Sequence, residues 1–503
     1  MAELHSPHHR SYTRQHAVVI GGGIAGLLAA RVLTAHFDRV TIVERDVYPD
    51  SPVHRKGTPQ SHHAHALLAV GRDIINDFFP GITDDLRANG AFSAHNIVPL
   101  VIVSPVGKLL SAPVEGEFMA FSRAFLEWHI CQRLSQHLRI RFMTRCEVTS
   151  VLSTPDRTRV TGVQLRYRSA NQEVQDLEAD LVIDASGRFS KAPEWLIQMG
   201  YDAPPEERIN SDIGYASRFY EKPTDFPAEW QGLIVNVRPP DIARGGLIIP
   251  IEHNRWHVTV GGSAGNHPPI DEQGFQEWAA SLADPSFYEA IRVAKPITPI
   301  RGYRTPENWL RHFEQLDRWP RGFIVMGDSV CAFNPAYGQG MTVSALEAQV
   351  LDTCLRQQQG YAETNFEQHF QQHIAQTVAD PWLIGTGEDL RWPSVTLQGA
   401  SPRTEMKWIH KYMKLVFQQA CEDIVVSQAY FDVINMIASP ASLMRGKILI
   451  RVLDGAIRRS LTRKDQHSHL GPLALSPEAI AELQSRSEKH YVAEAQERIV
   501  ARV

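Results

Sequence analysis

His16-Ala-Val-Val-Ile-Gly21-Gly-Gly-Ile-Ala-Gly26 is the stretch that decides the fold. A short apolar strand, His16 to Ile20, runs into a G-x-G-x-x-G turn, and a helix pattern follows from Gly26 to about Ala35. Val40-Thr-Ile-Val43 reads as the next strand, so the fold starts with a β-α-β unit. In such a turn Gly21 permits the sharp bend and Gly23 lets backbone approach a pyrophosphate. Gly26 lets helix and strand pack closely. Ile24 and Ala25 open the helix, whose free N–H groups and positive dipole end suit an anion. Glu44 ends the second strand, about twenty residues on, where a carboxylate can accept from ribose hydroxyls; Arg45 follows it. A ligand-free glycine turn is the structural alternative. The flanking strand, helix and acid favour a dinucleotide site.

That unit holds only an ADP half and does not separate one dinucleotide from another. The far end of the chain does. Gly327-Asp328 follows a buried strand, Phe323 to Met326, and a carboxylate at a strand's carboxyl end lies where open α/β sheets bind ligands. There Asp328 can accept from a ribityl chain, which nicotinamide cofactors lack. Pro335-Ala-Tyr-Gly338-Gln-Gly340-Met341 then opens a second helix with bared N–H groups, suited to the N1–C2=O edge of a reduced flavin. A plain glycine-rich helix cap is the alternative. The expected cofactor is FAD.

Between these ends, Asp184-Ala-Ser-Gly187-Arg188 follows the apolar strand Leu181 to Ile183. It can approach the pyrophosphate, or be an Asx-type turn with no ligand. Arg123, at the start of a helical pattern spanning Ser122 to Leu138, either neutralises pyrophosphate or lies on a solvated face. Val148, on a strand from Glu147 to Val151, completes the cofactor-binding candidates. His62, His63 and His65 are close in sequence, but a loop seldom makes such residues converge, and no metal is expected.

The chain of 503 residues, 43% hydrophobic and 21% charged, has the balance of a soluble globular protein with more than one packed unit. A net charge of -5 gives no reason to expect nucleic acid. The 5 cysteines form no Cys-x-x-Cys pair and read as reduced thiols in a cytoplasmic protein. Met1 to Gln15 lacks the apolar core of a secretory signal, and no apolar run reaches the roughly 18 residues of a membrane span. Phe431 to Leu453, interrupted by Pro440, Arg445 and Lys447, reads as buried helix. Trp408, Tyr412, Leu415 and Val416 share one apolar helix face.

GGGIAG (21–26), DASGRFS (184–190) and GDSVCAFNPAYGQGM (327–341) resemble, in order and spacing, the motifs of single-component flavoprotein monooxygenases related to para-hydroxybenzoate hydroxylase. The middle motif departs from the strict Asp-Gly pair, since Ala185 and Ser186 precede Gly187. RKGTPQSHHAHALL (55–68) with NPAYGQGMT is similar to a bacterial subgroup that includes polyether polyene epoxidases. The resemblance covers roughly residues 15–350. It implies an α/β fold: a Rossmann-like FAD-binding domain of glutathione-reductase type, an inserted, mostly antiparallel sheet for substrate, and a helical C-terminal region. The corresponding boundaries are 15–75, 110–204 and 301–360 for the FAD domain. The substrate sheet takes 76–109 and 205–300, and the helical region 361–503.

It further implies Gly21, Gly23, Gly26 and Glu44 on the ADP half, and Arg123 on a flavin phosphate. Asp328 would meet the ribityl chain, and Gly338 to Met341 the ring. NAD(P)H would reduce the flavin, and dioxygen would add at C4a before passing to an alkene or aromatic carbon of a lipophilic metabolite. No catalytic side chain is implied. The halogenase element Trp-x-Trp-x-Ile-Pro is absent; Arg255-Trp-His-Val lacks it. A flavin reductase of isoprenoid double bonds, resembling geranylgeranyl reductases, and a non-catalytic flavin-binding protein are the other classes that share these motifs.

Overall fold

The computed structural model describes residues 14–95, 100–110, 117–168, 173–226, 230–358, 365–400 and 406–463. Most of the polar N-terminal stretch and the part of the helical region beyond 463 lie outside the described residues.

The opening motif builds what its pattern predicts. Strands His16–Ile20 and Arg39–Glu44 flank helix Ile24–Leu33, and all three are almost wholly buried. They belong to a 5-stranded parallel sheet. Its order is Phe323–Val325, Leu181–Asp184, His16–Ile20, Arg39–Glu44, Ile140–Thr144. Chain order reverses at the first strand, the switch point where such sheets bind ligands. Register puts Ile20 beside Asp184 and Asp184 beside Val325. The three motif turns therefore leave adjacent strands at one edge of the sheet.

A second sheet of 10 strands is built around the long strand Glu206–Glu221. Alternation sorts its residues to two faces. Ala216, Tyr220, Trp256, Val258 and Val260 pack against helices Glu272–Ala280 and Ser286–Val293 through Phe275, Trp278 and Phe287. Tyr215, Ser217 and Phe219 face the other way, paired with Gly261, Thr259 and His257. This sheet does not end at residue 300: strand Arg301–Arg311 pairs with Glu206–Glu221 over most of its length. Conversely, residues 76–91, expected with the sheet, bring Phe79, Ile82 and Leu86 into the core of the nucleotide unit.

The region after 361 is not one tail. Helix Phe366–Asp389 buries Phe366, Phe370, Ile374, Val378 and Trp382 in the nucleotide core. Helices Met406–Ala420, Ile424–Ile434 and Gly446–Arg463 form a separate core with Ile102 and Leu109, and there Tyr412 and Val416 are buried. The stretch Phe431 to Leu453 is not a single buried helix. It breaks after Ile434 and turns at Pro440–Met444, and Ile437 and Ile450 are 59% and 67% exposed. Among the described residues no helix is long and apolar enough to cross a membrane.

Candidate flavin site

The glycines of the first turn are fixed by contact. A Cβ on Gly21 (φ +95) would lie 2.5 Å from the Ala185 carbonyl, and one on Gly26 would lie 1.9 Å from the Gly21 carbonyl. The first turn thus touches the middle turn directly. Gly23 caps helix Ile24–Leu33 with no side-chain cap, leaving that end's N–H groups for a ligand. The Arg123 guanidinium lies 3.7 Å from where a Gly23 Cβ would sit. Glu44 accepts from the Gly22 and Asp46 N–H groups, each at 2.9 Å. Its carboxylate therefore closes the turn, and with Arg55 beside Oε2 it is the second lone pair of Oε1 that remains for a ribose. Arg45 is exposed, and Val148 is buried in the nucleotide core.

Sequence reasoning missed the charged knot beside this turn. Arg55 is buried against three carboxylates: Glu127 at 2.6 Å, Glu44 at 3.3 Å and Asp46 at 3.5 Å. It also donates to the Gly22 carbonyl at 3.0 Å and lies over the Tyr48 ring. Burial opposes its charge, but Glu127 and Glu44 outweigh that and hold the guanidinium more firmly protonated than usual. Arg123 meets the other oxygen of Glu127 at 3.6 Å. Arg55 Nη1, Arg123 Nε and Glu127 Oε2 are buried without a hydrogen-bond partner. Arg55 Nη1 nevertheless lies between Glu44 and Asp46, whereas Arg123, beside Gly23 at an uncapped helix N-terminus, fits a pyrophosphate. The i, i+4 spacing of Arg123 and Glu127 is the available signal; Arg55 opens the RKGTPQSHHAHALL segment, but nothing in that segment points to Glu127.

Asp184 is wholly buried and serves its own turn. It accepts from the Ser186 N–H at 2.8 Å and the Ser190 hydroxyl at 2.6 Å. Gly187 (φ +86) donates its N–H to Ser329 Oγ at 2.9 Å, tying the middle turn to the far one. Arg188 reaches the carbonyls of Glu307 at 2.5 Å and Phe333 at 3.4 Å. Both charged groups of this motif thus act on protein.

Asp328 differs. Among the described residues no hydrogen bond reaches its carboxylate, which keeps an accessible edge. Burial raises its pKa against the pull of Arg188 and Arg123. An acceptor deep in a turn with nothing to accept suits the hydroxyls of a ribityl chain. Beneath it, Gly327 donates to Glu347 at 2.6 Å, and a Cβ on Gly327 would lie 2.7 Å from Ala25 Cβ. Burial pushes Glu347 up to about 8, so it is neutral and Asp328 is spared a second charge.

Beyond Asp328, Asn334 caps the Pro335–Tyr337 turn, accepting from the Ala336 N–H at 3.0 Å. A Cβ on Gly338 (φ +65) would lie 2.9 Å from Ala66, which brings the 54–66 loop onto this turn. Gly340, the first residue of helix Gly340–Gln358, faces open space: a Cβ there would meet nothing within 4 Å. Met341 beside it is buried. The open space at the Gly340 Cβ position leaves the helix start accessible to a flat ring.

From the 54–66 loop, His63 bonds Ser217 Oγ at 2.8 Å, and Ser217 bonds Thr259 at 2.7 Å. Burial holds His54 and His63 down to about 4 and His65 to about 3, so all three are neutral. Among the described residues no group of His, Cys, Asp or Glu is arranged to hold a metal.

No family model matches the chain. Over 392 residues it is 32% identical to Protein Rv3254 of Mycobacterium tuberculosis, a match covering 76% of this chain and 82% of that one. The chain belongs to the Rv3254 family. This Rv3254-family chain also superposes on solved flavoproteins. A flavoprotein/dehydrogenase from Cytophaga hutchinsonii gives a TM-score of 0.63 at 15% identity, over 90% of this chain and 100% of that one. The flavin-dependent brominase Bmp2 gives 0.62 at 13% identity, with the same 90% and 100% coverage. The p-nitrophenol 4-monooxygenase PnpA from Pseudomonas putida DLL-E4 gives 0.59 at 15% identity, over 85% and 99%. At such identities the likeness is one of fold, and that fold is the one carried by flavin-dependent monooxygenases and halogenases.

Proposed function

We propose that the chain is an FAD-dependent monooxygenase that uses NAD(P)H and dioxygen to hydroxylate or epoxidise a lipophilic small molecule, as the epoxidase-like subgroup of its resemblance does in secondary metabolism. One observation carries the reading. Three turns at adjacent strand ends leave open the features one flavin dinucleotide needs: the unpartnered Arg123 donor, the unbonded Asp328 carboxylate, and the glycine start of helix Gly340–Gln358. When bound, the flavin would accept two electrons from NAD(P)H and activate dioxygen. The chain's residues do the rest. Arg123 and the N–H groups behind Gly23 would hold the pyrophosphate, with Arg55 bracing the turn through the Gly22 carbonyl. Asp328 orients the ribityl chain, and the 338–341 backbone meets the ring edge.

The inner face of the large sheet supports a lipophilic substrate. Leu247 lies opposite Thr259 and Ile249 opposite His257, continuing the face that carries Ser217. Both stay partly accessible, so the polar surface near the ring loop gives way to apolar surface leading toward Ile234 and the C-terminal helices. All 5 cysteines are free, which supports a reducing compartment such as the cytoplasm.

The test is anaerobic titration of purified protein with NADPH or NADH, followed by oxygen and candidate alkenes and phenols. Flavin bleaching, and transfer of labelled oxygen to product, support the proposal. Reduction of an isoprenoid double bond without oxygen transfer identifies a reductase instead. Protein that holds flavin but reacts with none of these is a binding module. Absence of flavin binding defeats the reading.

A further inference from the structure

Asp389 is the last residue of helix Phe366–Asp389 and is 2% exposed. Four neutral donors converge on its carboxylate. Asn308 Nδ2 donates at 2.6 Å, Asn334 Nδ2 at 3.3 Å to each oxygen, Tyr337 Oη at 3.0 Å, and the Ser211 hydroxyl adds a further bond. Tyr215 in turn donates to Asn334 Oδ1 at 2.7 Å. Helix stability does not explain this residue. A carboxylate at a helix C-terminus works against the dipole, and burial without a cation costs more still. What the carboxylate gains is a grip on both ends of the Pro335–Tyr337 turn, through Asn334 before it and Tyr337 within it.

We propose that Asp389 is the positioning residue of the flavin-ring loop, holding Asn334 and Tyr337 so that Gly338 to Met341 present their backbone to the ring. The inference rests on the FAD reading above. The device is sensitive to a single proton. Burial against these hydrogen bonds raises Asp389 to about 6. All its partners donate, so a proton on the carboxyl has no acceptor until a hydroxyl reverses. Tyr337 is the hydroxyl that lies on the loop. The other titratable or charged groups packed near it are Tyr215 on the long strand, Glu388 on its own helix, and His410 of helix Met406–Ala420, whose ring bonds the Gly387 carbonyl at 2.7 Å and which burial holds below its ordinary value. Glu388 is paired with Arg391 at 2.6 Å, and Arg188 acts on Tyr215 from the middle turn.

The experiment compares wild type with Asp389→Asn, an isosteric mimic of the protonated state, and with Tyr337→Phe. The visible absorption of bound FAD is recorded across pH 5 to 8, together with the tyrosine ultraviolet difference spectrum of the flavin-free protein. Wild type should show a one-proton step near pH 6 in both signals. Asp389→Asn should hold its low-pH spectrum throughout and bind FAD within about threefold of wild type's low-pH affinity. Tyr337→Phe, which removes a donor to the carboxylate, should move the step to higher pH. A step that survives in Asp389→Asn, or a flavin-loaded wild type with no step, overturns the proposal and leaves the FAD reading standing. Failure of wild type to bind FAD overturns that reading instead. The tyrosine signal then decides the proton-sensitive grip: a step lost in Asp389→Asn upholds it, and a step absent from wild type or kept in the variant overturns it. Should Asp389→Asn not fold, an unshifted step in Tyr337→Phe is sufficient to refute it.

Discussion

Glu347→Gln separates the charge of a buried carboxyl from its shape. Glutamine keeps an oxygen for the Gly327 N–H, now accepted by Glu347 at 2.6 Å, and replaces only the oxygen that has no partner. The magnitude follows from linkage. A glutamate that ionises at 4.5 when unfolded and at about 8 when buried stays protonated in the folded state long after the unfolded chain has lost its proton. Its folded pKa is raised, so its contribution to stability is full below the unfolded value and is lost as pH rises toward the folded one. Between pH 5 and pH 7 the difference in bound protons integrates to about 1.8 pK units, or about 2.5 kcal/mol of wild-type stability. Glutamine has no proton to lose. Urea midpoints measured for both proteins, flavin-free, across this range should therefore diverge, with wild type falling by about 2.5 kcal/mol relative to the variant. Parallel curves would refute the neutral Glu347 and, with it, the account of how Asp328 is kept the single charge in the turn.

Other outcomes test the site piecewise. Gly26→Ala places a Cβ 1.9 Å from the Gly21 carbonyl and should cost about 3 kcal/mol in urea unfolding while abolishing flavin retention on gel filtration. Arg55→Met strands Glu127, Glu44 and Asp46 together; a loss of about 3–5 kcal/mol and at least about tenfold in FAD affinity by fluorescence titration is expected. Ser329→Ala removes the acceptor of the part-buried Gly187 N–H and should cost about 0.5–1.5 kcal/mol, read from the same urea midpoints, with the FAD spectrum perturbed.

The parts of this molecule legible in its sequence are those where chemistry is local. Gly21 to Gly26 announce a turn because a bend, a close approach and a helix start all demand missing side chains within a few residues. Asp328 is legible for a similar reason: an acid just past a buried strand and a glycine lies where open α/β sheets bind ligands. Arg55 was not visible, since its main partner Glu127 is 72 residues away and the pairing exists only once strand and helix are packed. Asp389 gave no signal at all, being one acid at the end of an ordinary helix. Asp184 was read toward the cofactor, although the serines at 186 and 190 were positioned to claim it. The end of the large sheet was misplaced because strand Arg301–Arg311 pairs with residues near 210, across two helices and several strands.

The wiring of the three turns also sets when a working site can exist during synthesis. The glycine turn is complete once residue 44 has been made, yet Gly21 packs on Ala185 and Ala25 on Gly327. The Gly187–Ser329 bond joins segments 142 residues apart. Closing such long loops is slow and comes late. A ribosome-bound chain should therefore expose an unfinished nucleotide cleft until the helix from Gly340 emerges, and fragments ending before it should not capture flavin. On the FAD reading, loading would wait for that helix, and the exposed intermediate is the species on which chaperones would act.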